Sequence, residues 1–148
     1  MPQLTIHTPV GDVTISEEEG ALVAVDWGRG RDQSETPLLL AAADQVARYF
    51  DGGLERFELP LRPAGPEGHQ RIWRAMCEIP YGATETYGQL ARRAGTVARA
   101  VGQGCGANPI PIIIPCHRVL AAAGLGGYSG QGGVETKIAL LRLERALL

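Results

Sequence analysis

The sequence predicts an α+β protein in which a small antiparallel sheet precedes a mostly helical C-terminal part. Three short segments of strand-forming residues, 4–8, 13–16 and 21–27, come first and predict three strands. Helical patterns follow them along the chain. With 148 residues and 45% apolar side chains, the chain is long enough for one domain, or for one domain with a small N-terminal subdomain.

The first helix is predicted over residues 38–50, where Pro37 opens an apolar periodic stretch and Gly52 helps to close it. A segment rich in proline and glycine then interrupts the regular patterns before the next helix begins. We therefore expect an N-terminal α/β subdomain over residues 1–62 and a second domain over residues 67–148.

Charge is distributed unevenly between these two parts, although the whole chain carries a formal net charge of only −2. Residues 1–66 hold eleven acidic residues and five arginines, whereas residues 67–148 hold nine basic and five acidic residues. This asymmetry is compatible with a polyanionic partner for the second part alone. Ordinary solvated surface charge is the alternative interpretation.

The chain contains no pattern typical of a signal peptide or of a membrane span, so we expect a cytoplasmic protein without membrane association. Its three cysteines, Cys77, Cys105 and Cys116, have spacings that match neither a disulfide framework nor a zinc site. We expect free thiols and no bound metal.

Two short helices joined at a glycine are predicted after the boundary segment. Thr86 and Gln89 form a capping box that starts a helix reaching Arg93. Gly95 stands where a left-handed C-cap is needed, and Thr96 is placed to cap the second helix at once. The pattern is typical of a helix-turn-helix, and an ordinary corner between two helices fits it as well.

The second of these helices carries a stripe of small residues. Ala98, Gly102 and Gly106 recur at every fourth position, and Arg99 lies beside them. Because each glycine in a helix interior costs about 1 kcal/mol relative to alanine, packing or a partner must compensate. The stripe allows the close approach of either another helix or an external partner.

A buried extended segment is predicted over residues 110–114, which are apolar and interrupted by Pro111. Cys116, His117 and Arg118 follow it directly. A neighbouring cation or imidazole can lower the pKa of a cysteine from about 8.5 to between about 3.5 and 7.5, which favours the nucleophilic thiolate. An inert buried cysteine is the alternative.

The C-terminal helix is predicted to place a carboxylate on its apolar face. The stripe comprises Leu140, Leu141, Leu143, Leu147 and Leu148, and Glu144 falls in its middle. A carboxylate there needs a partner, and His117 would complete a relay from Glu144 to Cys116. The alternatives are a pair with Arg142 or Arg145, or exposure of Glu144 to water.

A glycine-rich loop, residues 124–133, precedes this helix and holds six glycines. Its backbone can approach a ligand closely, which favours a pocket wall, although a plain flexible linker has the same composition. The arrangement of a phosphate-binding P-loop is absent.

Several motifs in the second half of the chain now form one pattern. They are Arg99-Ala100-Val101-Gly102, Asn108-Pro109, Pro115-Cys116-His117-Arg118-Val119, Gly127-Tyr128-Ser129-Gly130, and Lys137 with Leu140, Leu141 and Glu144. In this order and spacing, over residues 70–144, they resemble the O6-alkylguanine-DNA alkyltransferase family. The resemblance implies an RNase-H-like N-terminal subdomain and a winged-helix-like domain that binds DNA and accepts the alkyl group.

The resemblance also implies catalytic roles. Cys116 would accept the alkyl group in an irreversible, single-use reaction, His117 would act as the base through a water, and Glu144 would orient His117. Tyr87 would hydrogen-bond the flipped guanine, and Asn108 would link the recognition helix to the active-site segment. The substrate-binding residues would be Val119, Tyr128 and Ser129.

The implied partner is double-stranded DNA containing O6-alkylguanine, which a monomer would bind without a cofactor. Arg99 would enter the duplex in place of the extruded nucleotide. The recognition helix would lie in the minor groove, where Thr96, Ala98 and Gly102 suit a narrow groove that excludes bulky side chains.

The sequence departs from many bacterial members of this family at Cys105-Gly106-Ala107, where Asn-Gly-Arg is usual. Two other functions remain open. An alkyltransferase-like protein recognises lesions without accepting the group, but such proteins lack the acceptor cysteine. A papain-type hydrolase would need a distant histidine and an oxyanion hole.

Overall fold

The computed structural model describes residues 1–128, 130 and 132–146. Their contacts divide the chain into two compact units, Met1–Ala64 and Gly65–Leu148. Within the described residues, no helix combines the length and the apolar character that crossing a membrane requires. The predicted α+β class is confirmed.

The N-terminal unit is an antiparallel sheet with one helix. Its strands are β1 (Gln3–Ile6), β2 (Val13–Glu18) and β3 (Ala21–Trp27), in that spatial order, and its helix is α1 (Pro37–Phe50). The Thr36 hydroxyl caps α1 by accepting a hydrogen bond from the backbone N–H of Leu39. Inward-facing side chains of β2, β3 and α1 form the core: Val13, Ile15, Leu22, Val25, Leu39, Ala42, Val46 and Tyr49.

The C-terminal unit is mostly helical. Its elements are α2 (Glu67–Cys77), β4 (Glu85–Thr86), α3 (Tyr87–Ala94), α4 (Ala98–Gly106), a single 3-10 turn (Cys116–Arg118), β5 (Val119–Leu120) and α5 (Val134–Leu143). The short strands β4 and β5 pair in parallel, with Glu85 opposite Val119. This pairing places the start of α3 beside the strand that follows the 3-10 turn.

Helices α2, α3 and α4 pack on one another. The indole N–H of Trp73 donates a 2.9 Å hydrogen bond to the carbonyl of Gly104, and both residues are buried. A Cβ on Gly104 would lie only 3.0 Å from a methyl group of Ile72. Glycine at this position therefore lets α4 approach α2 closely.

The turn between α3 and α4 forms largely as local rules predict. The capping box of Thr86 and Gln89 is present, and Gly95 is left-handed with φ 72°. The prediction that Thr96 caps α4 is wrong. The N-cap is Val97, which offers no side-chain hydrogen bond, because α4 begins one residue later than expected.

The segment over residues 110–114 is buried as predicted, but it is not extended. It folds into consecutive turns closed by hydrogen bonds from Ile113 N–H to Pro111 O and from Ile114 N–H to Ile110 O. Ile112 has φ 72°, a strained conformation for a β-branched residue. The turns shorten the path from α4 to Cys116, and such strain often accompanies functional sites.

Helix α5 ends earlier than the apolar stripe suggested. Its last residue is Leu143, and Glu144 is the C-cap rather than part of a continuing helical face. The buried positions of α5 are Thr136, Lys137, Leu140 and Leu141, whereas Leu143 is only half-buried. Leu147 and Leu148 of the predicted stripe lie outside the described residues. Glu144 is buried nonetheless, and the residue that follows it, Arg145, is left-handed with φ 63°.

Candidate active site

Cys116 begins the 3-10 turn and lines a cavity of about 310 Å³. Its side chain is almost fully buried, with 5% relative exposure. The other lining residues come from α3, α4 and the glycine-rich loop: Tyr87, Gly102, Cys105, Gly106, Gly127 and Tyr128. The glycine-rich loop thus forms part of a pocket wall, as one of its two interpretations predicted.

His117, next to Cys116 in the chain, is fully buried and paired with Glu144. The imidazole Nε2 lies 2.7 Å from Oε2 of Glu144. Nδ1 is also buried and makes no hydrogen bond to any described residue. Burial lowers the pKa of His117, and this effect outweighs the opposing influence of Glu144. At neutral pH the ring is a neutral base with Nδ1 open to a proton.

Glu144 has a second partner that the sequence analysis missed. Arg118 donates from Nε to Oε1 over 2.8 Å and from Nη2 to Oε2 over 3.0 Å, and its Nη1 donates to the carbonyl of Ile79. Such a two-point arginine–carboxylate contact fixes the orientation of the carboxylate. The sequence analysis considered Arg142 and Arg145 as partners of Glu144 but not Arg118. The signal for Arg118 was an arginine adjacent to the cysteine motif.

The pKa of Cys116 is raised, which contradicts the sequence-based expectation of a lowered one. Burial is the main cause, and it exceeds the opposing effects of a hydrogen bond from Asn108 and of the positive charge on Lys137. The resting thiol is therefore protonated. A nucleophilic thiolate requires a base that takes its proton during the reaction.

Asn108 connects the end of α4 to the segment before Cys116. Its amide Nδ2 donates to the carbonyl of Ile114 over 3.0 Å, and its Oδ1 accepts from the backbone N–H of Ile110 over 2.9 Å. Asn108 also opposes the rise in the pKa of the Cys116 thiol. One amide side chain thus holds the turns that lead into Cys116.

Lys137 is buried in the same region, and the sequence analysis gave it no role. Its ammonium group donates to the carbonyls of Val119, 2.7 Å away, and Gly127, 3.0 Å away. Lys137 lies on the buried face of α5 with Leu140. A charged residue on an apolar helix face was the pattern that singled out Glu144, and the same pattern identifies Lys137. It ties the strand after Cys116 to the loop that lines the cavity.

The predicted substrate-binding residues have separate positions. Tyr128 lines the cavity, and burial raises the pKa of its hydroxyl. Val119 does not line it: its side chain is fully buried and its carbonyl accepts from Lys137. Ser129 lies outside the described residues. Tyr87 lines the cavity too, and burial raises the pKa of its hydroxyl.

Comparison with known proteins matches each half of the chain to one family. Residues 67–146 match the model of the 6-O-methylguanine DNA methyltransferase DNA binding domain. Residues 3–63 match that of the ribonuclease-like domain of the same methyltransferase. The chain belongs to the 6-O-methylguanine DNA methyltransferase family.

Relatives within this family are similar over nearly their whole length. The methylated-DNA–protein-cysteine methyltransferase of Methanosarcina barkeri is 40% identical, and the alignment covers 94% of each chain. That of Mycobacterium tuberculosis is 39% identical over 96% of this chain and 91% of its own. The crystal structure of Mycobacterium tuberculosis OGT in complex with DNA has a TM-score of 0.88 at 39% identity, covering 99% of this chain and 94% of that one.

In this member of the methyltransferase family, the small-residue stripe of α4 is exposed. Ala98, Gly102 and Gly106 are all exposed, and a Cβ at either glycine would have no neighbour within 4 Å. The stripe therefore does not pack on another helix, so that interpretation is wrong. Arg99 is exposed beside it, and Thr96 is half-buried.

Among the residues that the structure describes, no three histidine, cysteine or acidic side chains are grouped as metal ligands would be. The protein groups at the site are the Cys116 thiol, a neutral imidazole, a buried carboxylate and two buried cations.

Proposed function

We propose that this protein repairs alkylated DNA directly, by moving the alkyl group of an O6-alkylguanine in duplex DNA onto the sulfur of Cys116. The observation that carries this proposal is a buried thiol at the wall of a cavity, beside a histidine whose other nitrogen is held by a carboxylate. Membership of the methyltransferase family supports the same reaction.

A base inside a duplex cannot reach a buried sulfur, so the damaged nucleotide must be flipped out at a cost of a few kcal/mol, which is lowest for a damaged pair. We assign the cavity of about 310 Å³ to the flipped base. Tyr87 and Tyr128 are placed to contact it, because both line the cavity.

In the chemical step, Nδ1 of His117 takes the proton of the Cys116 thiol through a water. Glu144 stabilises the resulting imidazolium, and Arg118 holds Glu144 in place. The thiolate then attacks the alkyl carbon, a C–S bond forms, the C–O bond breaks, and its electrons go to O6 of guanine. A thioether is a poor leaving group, so each chain reacts once.

The exposed stripe of α4 is the proposed DNA-binding surface. Ala98 and Gly102 would face the floor of the minor groove, with Thr96 at the start of the helix. Arg99 would occupy the space that the flipped nucleotide leaves. We further propose that the protein works as a cytoplasmic monomer, in keeping with its three free cysteines.

The direct test is the intact mass of the protein after incubation with a duplex containing one O6-methylguanine. We expect one methyl group per chain, mapped to Cys116, and no transfer by Cys116→Ala. Binding of the lesion without any mass change would instead favour the alkyltransferase-like function. Repeated turnover would favour a hydrolase, and a label on Cys77 would refute the assigned acceptor.

A further inference from the structure

The proposed repair reaction uses one thiol, but the cavity is lined by two. Cys105, the penultimate residue of α4, lines the same cavity as Cys116. It is half-buried, whereas Cys77 is exposed at the end of α2 and lies outside the cavity lining. The family resemblance gives Cys105 no function, because asparagine is usual in its place.

The fold connects the two cysteines through Asn108. The backbone N–H of Asn108 donates to the carbonyl of Cys105 over 3.3 Å, and its side chain donates to the carbonyl of Ile114, two residues before Cys116. Asn108 thus links the end of α4, which carries Cys105, to the segment that leads into Cys116. Two sulfurs that share a cavity can react with one another if one of them becomes electrophilic.

We propose that Cys105 is a resolving thiol, which captures Cys116 as an intramolecular disulfide after a peroxide has oxidised Cys116. In the first step, the Cys116 thiolate attacks one oxygen of hydrogen peroxide; an S–O bond forms and hydroxide leaves. In the second, Cys105 attacks the sulfur of the sulfenic acid, giving a disulfide and water. Overall, two thiols are oxidised and one peroxide is reduced to two waters. The proposal rests on the reactive Cys116 of the proposed function.

The electrostatics of the cavity set the order of these steps. The pKa of Cys105 is raised to about 12, mainly by burial and also by a negative charge on Cys116, whereas Lys137 lowers it. While Cys116 is a thiolate, Cys105 therefore stays protonated and does not compete for the electrophile. Conversion of Cys116 to a neutral sulfenic acid removes one of the two effects that raise the pKa of Cys105, while burial still raises it and Lys137 still lowers it.

A disulfide between Cys105 and Cys116 requires their Cα atoms to lie about 4.4–6.8 Å apart, a separation that the end of α4 must allow. The helix ends at Gly106, where a Cβ would have no neighbour within 4 Å, and its C-cap Ala107 is exposed. The disulfide would block alkyl acceptance, but reversibly. Without a resolving thiol, a second peroxide would convert Cys116 to the irreversible sulfinic acid.

The test is a peroxide titration of the full-length protein, of Cys105→Ser and of the matched control Cys77→Ser. Trypsin leaves Cys105 and Cys116 together in one peptide, residues 100–118, and Cys77 in another, residues 75–92. Under non-reducing conditions, peptide 100–118 of the parent and of Cys77→Ser should be lighter by two hydrogens. In Cys105→Ser the same peptide should instead gain two oxygens at Cys116.

The second measurement is the methyl-transfer activity that a reductant restores after oxidation. It is expressed as a fraction of each variant's activity before oxidation. Dithiothreitol should restore the parent and Cys77→Ser, and should restore Cys105→Ser about tenfold less. Equal recovery in all three proteins, or a disulfide that includes Cys77, would overturn the inference. Methyl transfer by unoxidised protein tests the proposed function separately, so either can fail while the other stands.

Discussion

At the scale of single residues, the site is organised around one buried carboxylate shared by two partners. Glu144 accepts from Arg118 and lies within hydrogen-bond distance of His117, and all three side chains are buried. Removing one member of a buried ion pair leaves an uncompensated charge, which commonly costs about 3–5 kcal/mol. Glu144 therefore stabilises the fold through Arg118, and in the proposed reaction it would act through His117.

We expect Glu144→Gln to slow methyl transfer by about tenfold to a hundredfold, because an amide stabilises the His117 imidazolium poorly. It should also lower the free energy of unfolding, since Arg118 loses its anionic partner. Duplex affinity should stay nearly unchanged, because the DNA-binding surface lies on α4. Single-turnover rates, anisotropy and thermal unfolding measure the three effects, with exposed Glu135→Gln as the control. An unchanged transfer rate would exclude the relay.

Lys137 is expected to favour the Cys116 thiolate, because its positive charge lowers the pKa of that thiol. In Lys137→Met the pKa should rise, so the pH profile for alkylation of Cys116 by iodoacetamide should move to higher pH. Lys137→Arg keeps the charge and should move the profile less. If both variants lose stability but neither shifts the pH profile of alkylation, Lys137 serves only to hold the carbonyls of Val119 and Gly127.

At the scale of elements, α4 carries glycines on two different faces, one buried and one exposed. Gly104 is buried against Ile72 and accepts the hydrogen bond of Trp73, whereas Gly102 is exposed and has no neighbour at its Cβ position. One glycine is required by packing within the unit. The other leaves space that the proposed DNA partner would use.

Substitutions at these two glycines should therefore have opposite effects on stability. Gly104→Val should cost about 1–3 kcal/mol by overpacking against Ile72. Gly102→Ala should stabilise the helix by about 0.5–1 kcal/mol, yet weaken binding to duplex DNA, because its methyl group would meet the groove. Thermal unfolding and fluorescence anisotropy would show both effects. Tighter DNA binding by Gly102→Ala would contradict the assigned surface.

Arg99 on the same helix should matter only when a base must be flipped. We expect Arg99→Ala to slow methyl transfer from duplex DNA far more than reaction with free O6-benzylguanine, which needs no extrusion. Arg92→Ala, which removes an exposed arginine of α3, provides the matched loss of charge. Equal losses on both substrates in Arg99→Ala would place Arg99 outside the flipping step.

At the scale of the whole molecule, the two units carry opposite net charges, and only the second contains the proposed DNA-binding surface. The excess of basic residues after residue 66 is modest. We therefore expect association with DNA to depend on a few arginines rather than on a strongly basic surface. The position of Ala107, exposed at the end of α4, is a place where a further phosphate contact could be added.

We expect Ala107→Arg to tighten binding to all duplex sequences alike. One additional phosphate contact should steepen the slope of log K against log salt by about 0.9. Fluorescence anisotropy over a salt series measures this slope, and Ala107→Gln supplies a polar side chain without charge. The same slope for Ala107→Arg and the parent would show that this end of α4 does not face the phosphates.

The sequence by itself determined the features that depend on neighbouring residues: the α+β class, the capping box at Thr86, the left-handed Gly95 and the position of the family's cysteine motif. Only the tertiary structure decided the charges and contacts around that motif. Arg118 and Lys137 acquire their partners from residues distant in the chain, and the pKa of Cys116 rises because burial outweighs the nearby cations. Local rules act over a few residues, whereas desolvation depends on everything that packs around a group.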